Sequence, residues 1–188
     1  NDQFFKYVNF KAENNHFLDG MTDDLEGECL AYEALIDELG GIKLQILGIG
    51  RDGHIGFNEP GSSFNSRTRP VTLAEATIED NKRFFNSADE VPRWALSMGV
   101  GTILEAREIL LLATGSNKAD AIAGMIEGPL TAMNAASSLQ LHNDVNVIID
   151  EAAASKLQRI DYYKKTGENN VVEMYEYLMN ARKRAGLD

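Results

Sequence analysis

Hydrophobic residues along this chain recur with two different periods. Short blocks rich in Ile, Leu and Val, at Lys43–Gly48, Glu108–Ala113 and Val145–Asp150, show little polar alternation. That is the pattern of strands buried on both faces of a parallel sheet. A shorter block, WALSMGV from Trp94, predicts a fourth strand. Between these blocks the spacing becomes helical. DLEGECLAYEALIDELGG would place Leu25, Cys29, Tyr32, Leu35, Ile36 and Leu39 on one face and stop at Gly40-Gly41, as a glycine C-cap does. NKADAIAGMIEG predicts a second helix, closed by Gly128-Pro129. NNVVEMYEYLMNARKRAG predicts a third, with cations in its last turn where they complement the helix dipole. Strands alternating with helices indicate an α/β layer fold with a parallel sheet. No internal repeat, low-complexity segment or dividing linker interrupts residues 1–188, so a single domain is expected.

Charge narrows the function. A formal net charge of −11 argues against a broad surface for nucleic acid or anionic membrane. An anionic small ligand is still compatible with it, provided that a local cluster of cations receives it. No apolar run has the length of a membrane span, and the N-terminal NDQFFKYVNFKAENN lacks the order of a signal peptide. The single cysteine, Cys29, excludes an internal disulfide framework, fits a reducing cytoplasm, and is expected to pack inward from its helix. The chain opens with Asn in a polar, partly aromatic stretch, and the strands that can be counted make a small sheet. We therefore expect an N-terminally incomplete domain whose exposed sheet edge and apolar face favour poor solubility.

The stretch LQILGIGRDGHIGFNEP, Leu44 to Pro60, carries the candidate chemistry. Gly48, Gly50 and Gly53 have the spacing of a dinucleotide-binding turn, which requires a helix directly after it. The residues that follow, HIGFNEPGSS, are turn formers, so that reading loses its context. What remains is a strand whose carboxyl end runs into a flexible loop presenting Asp52, His54 and Glu59. Ligand sites of open α/β sheets lie at such ends. An imidazole between two carboxylates is equipped to shuttle a proton; it is equally a loop histidine hydrogen-bonded for structure, and the residues alone leave both readings open.

GIGRDGHIGFNEP, followed in order by SRTR, NKRFF, ALSMGVGTIL, TGSNKA and SSLQLH, resembles the glucosamine-6-phosphate deaminase (isomerase) family from about Asn15 to about Leu157. The related 6-phosphogluconolactonases share a glycine-rich DGH turn but not the FNEP after it. The resemblance implies a three-layer, Rossmann-like α/β fold with a mostly parallel sheet flanked by helices. It also implies a cytoplasmic homo-oligomer that converts glucosamine 6-phosphate to fructose 6-phosphate and ammonium in amino-sugar catabolism, without metal or organic cofactor. His54 would be the acid–base that opens the pyranose ring, assisted by Asp52 and Glu59. Arg83 of NKRFF would bind the phosphate, together with Lys118, which follows a Gly-Ser turn at a helix start. Free backbone N–H groups beside a lysine make such a place a ready anion site.

Allosteric members of the family bind N-acetylglucosamine 6-phosphate in a loop that matches PGSSFNSRTRPVTL here, with Ser62, Arg69 and Thr72 at corresponding positions. Val71 stands where those members carry a lysine, which removes a cation from the effector pocket. His16 and His142 attract no functional role, His142 reading as a helix-terminal histidine; Tyr162, Tyr163, Lys164 and Lys165 read as surface. The family's carbon-2 base belongs to an N-terminal segment without a counterpart here, and Asp19, which falls after that point, is not assigned to it. Two alternatives stand beside the deaminase. One is a shortened, non-catalytic protein that binds sugar phosphates or pairs with other subunits. The other is a related isomerase or deaminase acting on a different amino-sugar phosphate.

Overall fold

The structure is a computed structural model that describes residues 7–9, 11–166, 179–180 and 183–184. The C-terminal helix expected over NNVVEMYEYLMNARKRAG lies outside the described residues except for 179–180 and 183–184, which are helical. In chain order the elements are α1 (Leu25–Glu38), β1 (Leu44–Leu47), β2 (Arg69–Thr72), α2 (Glu75–Asn81), β3 (Trp94–Ser97), α3 (Val100–Leu104), β4 (Glu108–Ala113), α4 (Ala119–Ile126) and β5 (Val145–Ile149), joined by loops and 3-10 turns.

The three longest apolar blocks form one parallel sheet in the order β1-β4-β5. Leu47 lies opposite Leu111, and Leu111 opposite Val147. Side chains alternate across each strand. On one face Leu47, Ile109, Leu111 and Ala113 are buried against Ile103 of α3, Ile122 and Met125 of α4, and Leu139 of a 3-10 turn. The other face carries Leu44, Ile46, Leu112 and Ile148, which are 45% to 61% exposed. These strands look apolar throughout because both faces are, while packing covers one of them. No helix of the described residues is long and apolar enough to cross a membrane.

The fourth predicted strand forms elsewhere. Trp94–Ser97 pairs antiparallel with Arg69–Thr72 as a separate two-stranded sheet, which packs with α2 around Val71, Leu73, Ile78 and Val91. The sequence assigns Arg69–Thr72 to a loop. Its Pro70 cannot donate to a ladder, and a strand with one neighbour tolerates that. The single apolar face predicted for α1 also needs correction. Cys29 is buried as expected, but Leu25 and Leu39 are exposed, because they sit at the first residue and just past the last of a helix whose ends overhang their support. Tyr163, expected at the surface, packs against the main core.

A partly buried carboxylate ties these parts together. Glu33 of α1 accepts hydrogen bonds from the Thr68 amide and hydroxyl and from the Thr102 hydroxyl of α3, and pairs with Arg67. Burial pushes its carboxyl up, but the bonds from Thr102, Thr68 and Arg67 outweigh that and hold it below the usual range.

Candidate active site

β1 ends at Leu47 and releases the loop that carries the glycine motif. No helix follows between Arg51 and Thr68, so the helix N-terminus that a pyrophosphate would face is lacking. The glycines serve a tight histidine turn instead. The Gly50 amide donates to the His54 carbonyl at 2.8 Å, and the imidazole packs on Gly50 so closely that a β-carbon there would lie 2.3 Å from Nδ1. Gly53 reverses the chain at φ +86°, and a β-carbon on it would meet Asn134 Oδ1 at 2.2 Å. A side chain is strained by that backbone angle whatever room it has.

The turn folds Asp52 and Glu59 onto the same ring nitrogen. His54 Nδ1 lies 2.7 Å from Asp52 Oδ1 and 3.4 Å from Glu59 Oε2. Both are short distances, but the angles are off line, so Nδ1 and Glu59 Oε2 each lack a well-aligned hydrogen bond among the described residues. Asp52 Oδ1 also accepts from the His54 amide at 3.2 Å. Burial raises the Asp52 carboxyl, yet hydrogen bonding from the His54 amide and the charge of the imidazole more than offset it and hold the group below its ordinary value. Asp52 is therefore ionised across the neutral range. Glu59 is held from the far side: its Oε1 accepts from the Ala74 amide at 3.2 Å and from the Thr77 hydroxyl at 2.6 Å. Potential ligand atoms of Asp52, His54 and Glu59 also lie within 4.8 Å of one another, close enough to hold a metal ion. Because both carboxylates converge on one ring nitrogen, the arrangement suits a proton at least as well.

His54 opens onto a cavity of about 330 Å³ whose lining includes Gly48, Gly50, Asn81, Arg83 and Lys118. Lys118 reaches it from the turn after β4, and Arg83 from the 3-10 turn after α2. Neither cation pairs with a carboxylate among the described residues; Arg83 lies over the Phe84 ring, 4.8 Å from its centroid. These two cations and a histidine flanked by two carboxylates thus share one cavity. A larger cleft of about 570 Å³ beside β5, between Ile126, Val147, Leu157 and Tyr163, is mostly apolar and lies away from these groups. The backbone near Lys118 is less free than expected. The Gly115 amide is taken by both oxygens of Asp150, each at 3.0 Å, because the parallel pairing of β4 and β5 brings their carboxyl ends side by side.

Ser62 and Arg69 meet, but not in an open pocket. The Arg69 guanidinium donates to Asn58 Oδ1 at 2.8 Å and to Ser62 Oγ at 3.2 Å. Thr72, exposed on the opposite face of β2, does not join them, and Val71 is in the small core. Asn58 is fully buried and donates to the Ile55 and Met98 carbonyls, bracing the turn between His54 and Glu59. His142 caps the 3-10 turn Ala135–Leu141, with Nε2 2.7 Å from the Ala106 carbonyl and Nδ1 accepting from the Asp144 amide. Sequence reasoning passed over Asn58, Thr77, Asp80, Asn81 and Asp150. Only the FNEP and NKRFF motifs, which contain Asn58 and Asn81, offered a signal for any of them.

Residues 1–147 match the family model described as glucosamine-6-phosphate isomerases/6-phosphogluconolactonase. A glucosamine-6-phosphate deaminase of Clostridioides difficile (strain 630) is 55% identical over 161 residues, 86% of this chain and 65% of the relative. One of Hahella chejuensis (strain KCTC 2396) is 55% identical over 162 residues, 86% of this chain and 62% of the relative. A solved structure of a monomeric glucosamine-6-phosphate deaminase superposes with a TM-score of 0.81 at 51% identity, covering 82% of this chain and 64% of the other. The chain therefore spans less than two thirds of the length of these relatives.

Proposed function

The chain belongs to the glucosamine-6-phosphate isomerase/6-phosphogluconolactonase family, and from that premise we propose that it is the sugar-opening and phosphate-holding part of a glucosamine-6-phosphate deaminase. The observation that carries this reading is the shared cavity: His54 backed by two carboxylates, with unpaired Arg83 and Lys118 on the same walls. The 6-phosphate would sit against Arg83 and Lys118 through charge-assisted hydrogen bonds. His54 would take the proton of the anomeric hydroxyl and return it to the ring oxygen as the bond from carbon 1 to that oxygen breaks and the carbonyl forms. A group that both accepts and gives a proton near neutral pH suits this step, and Asp52 and Glu59 would offset the positive charge it takes up during the transfer. Isomerisation next needs a base at carbon 2, and no residue of this chain is assigned to it. Ammonium and fructose 6-phosphate would be the products, with cytoplasmic amino-sugar phosphates as the source of substrate.

An effector such as N-acetylglucosamine 6-phosphate would have to displace Asn58 from Arg69 and would find Thr72 on the far face of β2. That geometry favours activity without an effector. The expected self-association draws no support from the similar solved structure, which is of a monomeric deaminase. The test is ammonium release from glucosamine 6-phosphate by this chain and by a version completed to the length of its relatives. Release by the completed form alone is the expected result. Release by the short chain would place the carbon-2 base within it, and a folded completed form without activity would overturn the substrate.

A further inference from the structure

We infer that Thr77 is a positioning residue for the acid–base group: its hydroxyl fixes the Glu59 carboxylate so that, with Asp52, it brackets Nδ1 of His54. The inference rests on the acid–base reading of His54 given above. The two carboxylates are held in different ways. Asp52 lies two residues from His54, and its own loop places it, through the bond it accepts from the His54 amide. Glu59 lies beyond a further turn. Asn58 braces the backbone of that turn, but a glutamate side chain keeps several free torsions, and its direction must be set from outside. The two donors to Oε1 do this, the Thr77 hydroxyl at 2.6 Å and the Ala74 amide at 3.2 Å. Their grip on Oε1 leaves Oε2 turned toward Nδ1 at 3.4 Å.

Thr77 is well suited to the task. It is 2% exposed, and its β-branched side chain has few rotamers to choose from, so the hydroxyl is held still. Its carbonyl accepts from Asn81 Nδ2 at 2.8 Å, and Asn81 and Arg83 line the cavity. One short helix thus orients the carboxylate behind the imidazole and carries a wall of the cavity with its phosphate-binding cation. Valine has the shape of threonine without the donor. In its place the carboxylate would keep one neutral donor to Oε1, and so would hold its direction less well.

The charged groups around the imidazole are Asp52 and Arg51 on its own loop, Glu59, Asp80 of α2, Arg83 and Lys118. Arg51 and Asp80 pair with each other at 3.0 Å, and Arg83 and Lys118 are the same in every variant below. The experiment is a pH titration of the histidine side chains by proton–nitrogen NMR on the chain completed to the length of its relatives, with no substrate present. Thr77→Val is expected to move the His54 midpoint down, because the carboxylate is no longer held beside Nδ1. Thr77→Ser, which keeps the hydroxyl, is expected to restore it. In a Glu59→Gln background Thr77→Val is expected to have no further effect. His142, with both ring nitrogens bonded to backbone, reports on the fold; if valine disturbs it, Thr77→Ala is compared with Thr77→Ser on the same terms. An unchanged His54 midpoint with His142 intact, or an equal shift in the Glu59→Gln background, would overturn the inference. The substrate assignment stands or falls separately, on ammonium release.

Discussion

Replacing His54 with glutamine is expected to lower ammonium release from glucosamine 6-phosphate by about 10²- to 10⁴-fold, the usual contribution of a positioned acid–base group. Glutamine can fill much of the space over Gly50, but it cannot accept a proton from the anomeric hydroxyl and return one to the ring oxygen. The lost step is ring opening, so binding of the phosphate end should persist. An open-chain alditol analogue, which has no ring to open, should compete for the variant about as well as for the parent. The measurement is steady-state ammonium release by the chain completed to the length of its relatives, with the alditol as competitor. Activity within about tenfold of the parent would remove His54 from the acid–base role. A parallel loss of alditol binding would make its part structural instead.

The second large effect is expected at the two cations that line the cavity. Lys118→Ala and Arg83→Ala each remove a cation that has no carboxylate partner among the described residues. A hydrogen bond to a charged group is worth about 1.5–3 kcal/mol, so each change should raise KM by about tenfold to a hundredfold, and more in the double variant. Because the phosphate takes no part in the chemistry, kcat at saturation should fall less than kcat/KM. The control is glucosamine without its phosphate, whose weak binding should be indifferent to either substitution. If both sugars weaken equally, these residues support the fold of the cavity and do not hold the phosphate.

What could be read from the sequence follows from how each part is built. β1, β4 and β5 show as apolar blocks because parallel strands carry apolar residues on both faces, covered or not. β2 was illegible because it holds Arg69, Pro70 and Thr72 in four positions and owes its form to a single antiparallel neighbour. The His54 turn was legible because three glycines and two carboxylates around one imidazole leave a local mark. The clamp on Glu59 was not: Thr77 lies 18 residues away, and a threonine in the first turn of a short helix looks like any capping or surface residue. Asp150 was hidden for a similar reason, since its bond to Gly115 depends on β5 lying beside β4 and not on either segment alone. Arg83 stood out only through the family resemblance, Lys118 also through the Gly-Ser turn before it, and the structure shows that one cavity holds both.

β1 and β4 are neighbours in the sheet although the whole β2–β3 unit and α3 lie between them in the chain. Their carboxyl ends deliver His54 and Lys118, so the interval between those groups depends on one interstrand spacing, about 4.8 Å, and two turns, more than on the reach of a flexible arm. Under the proposed function the sheet would act as a ruler for carbon chain length, matched to a sugar with its reacting carbon at one end and its phosphate at the other. A five-carbon amino-sugar phosphate anchored by its phosphate would hold its anomeric oxygen short of the imidazole. In a competition assay it should inhibit the six-carbon reaction without itself releasing ammonium, and its turnover at a comparable rate would show that the interval is not fixed.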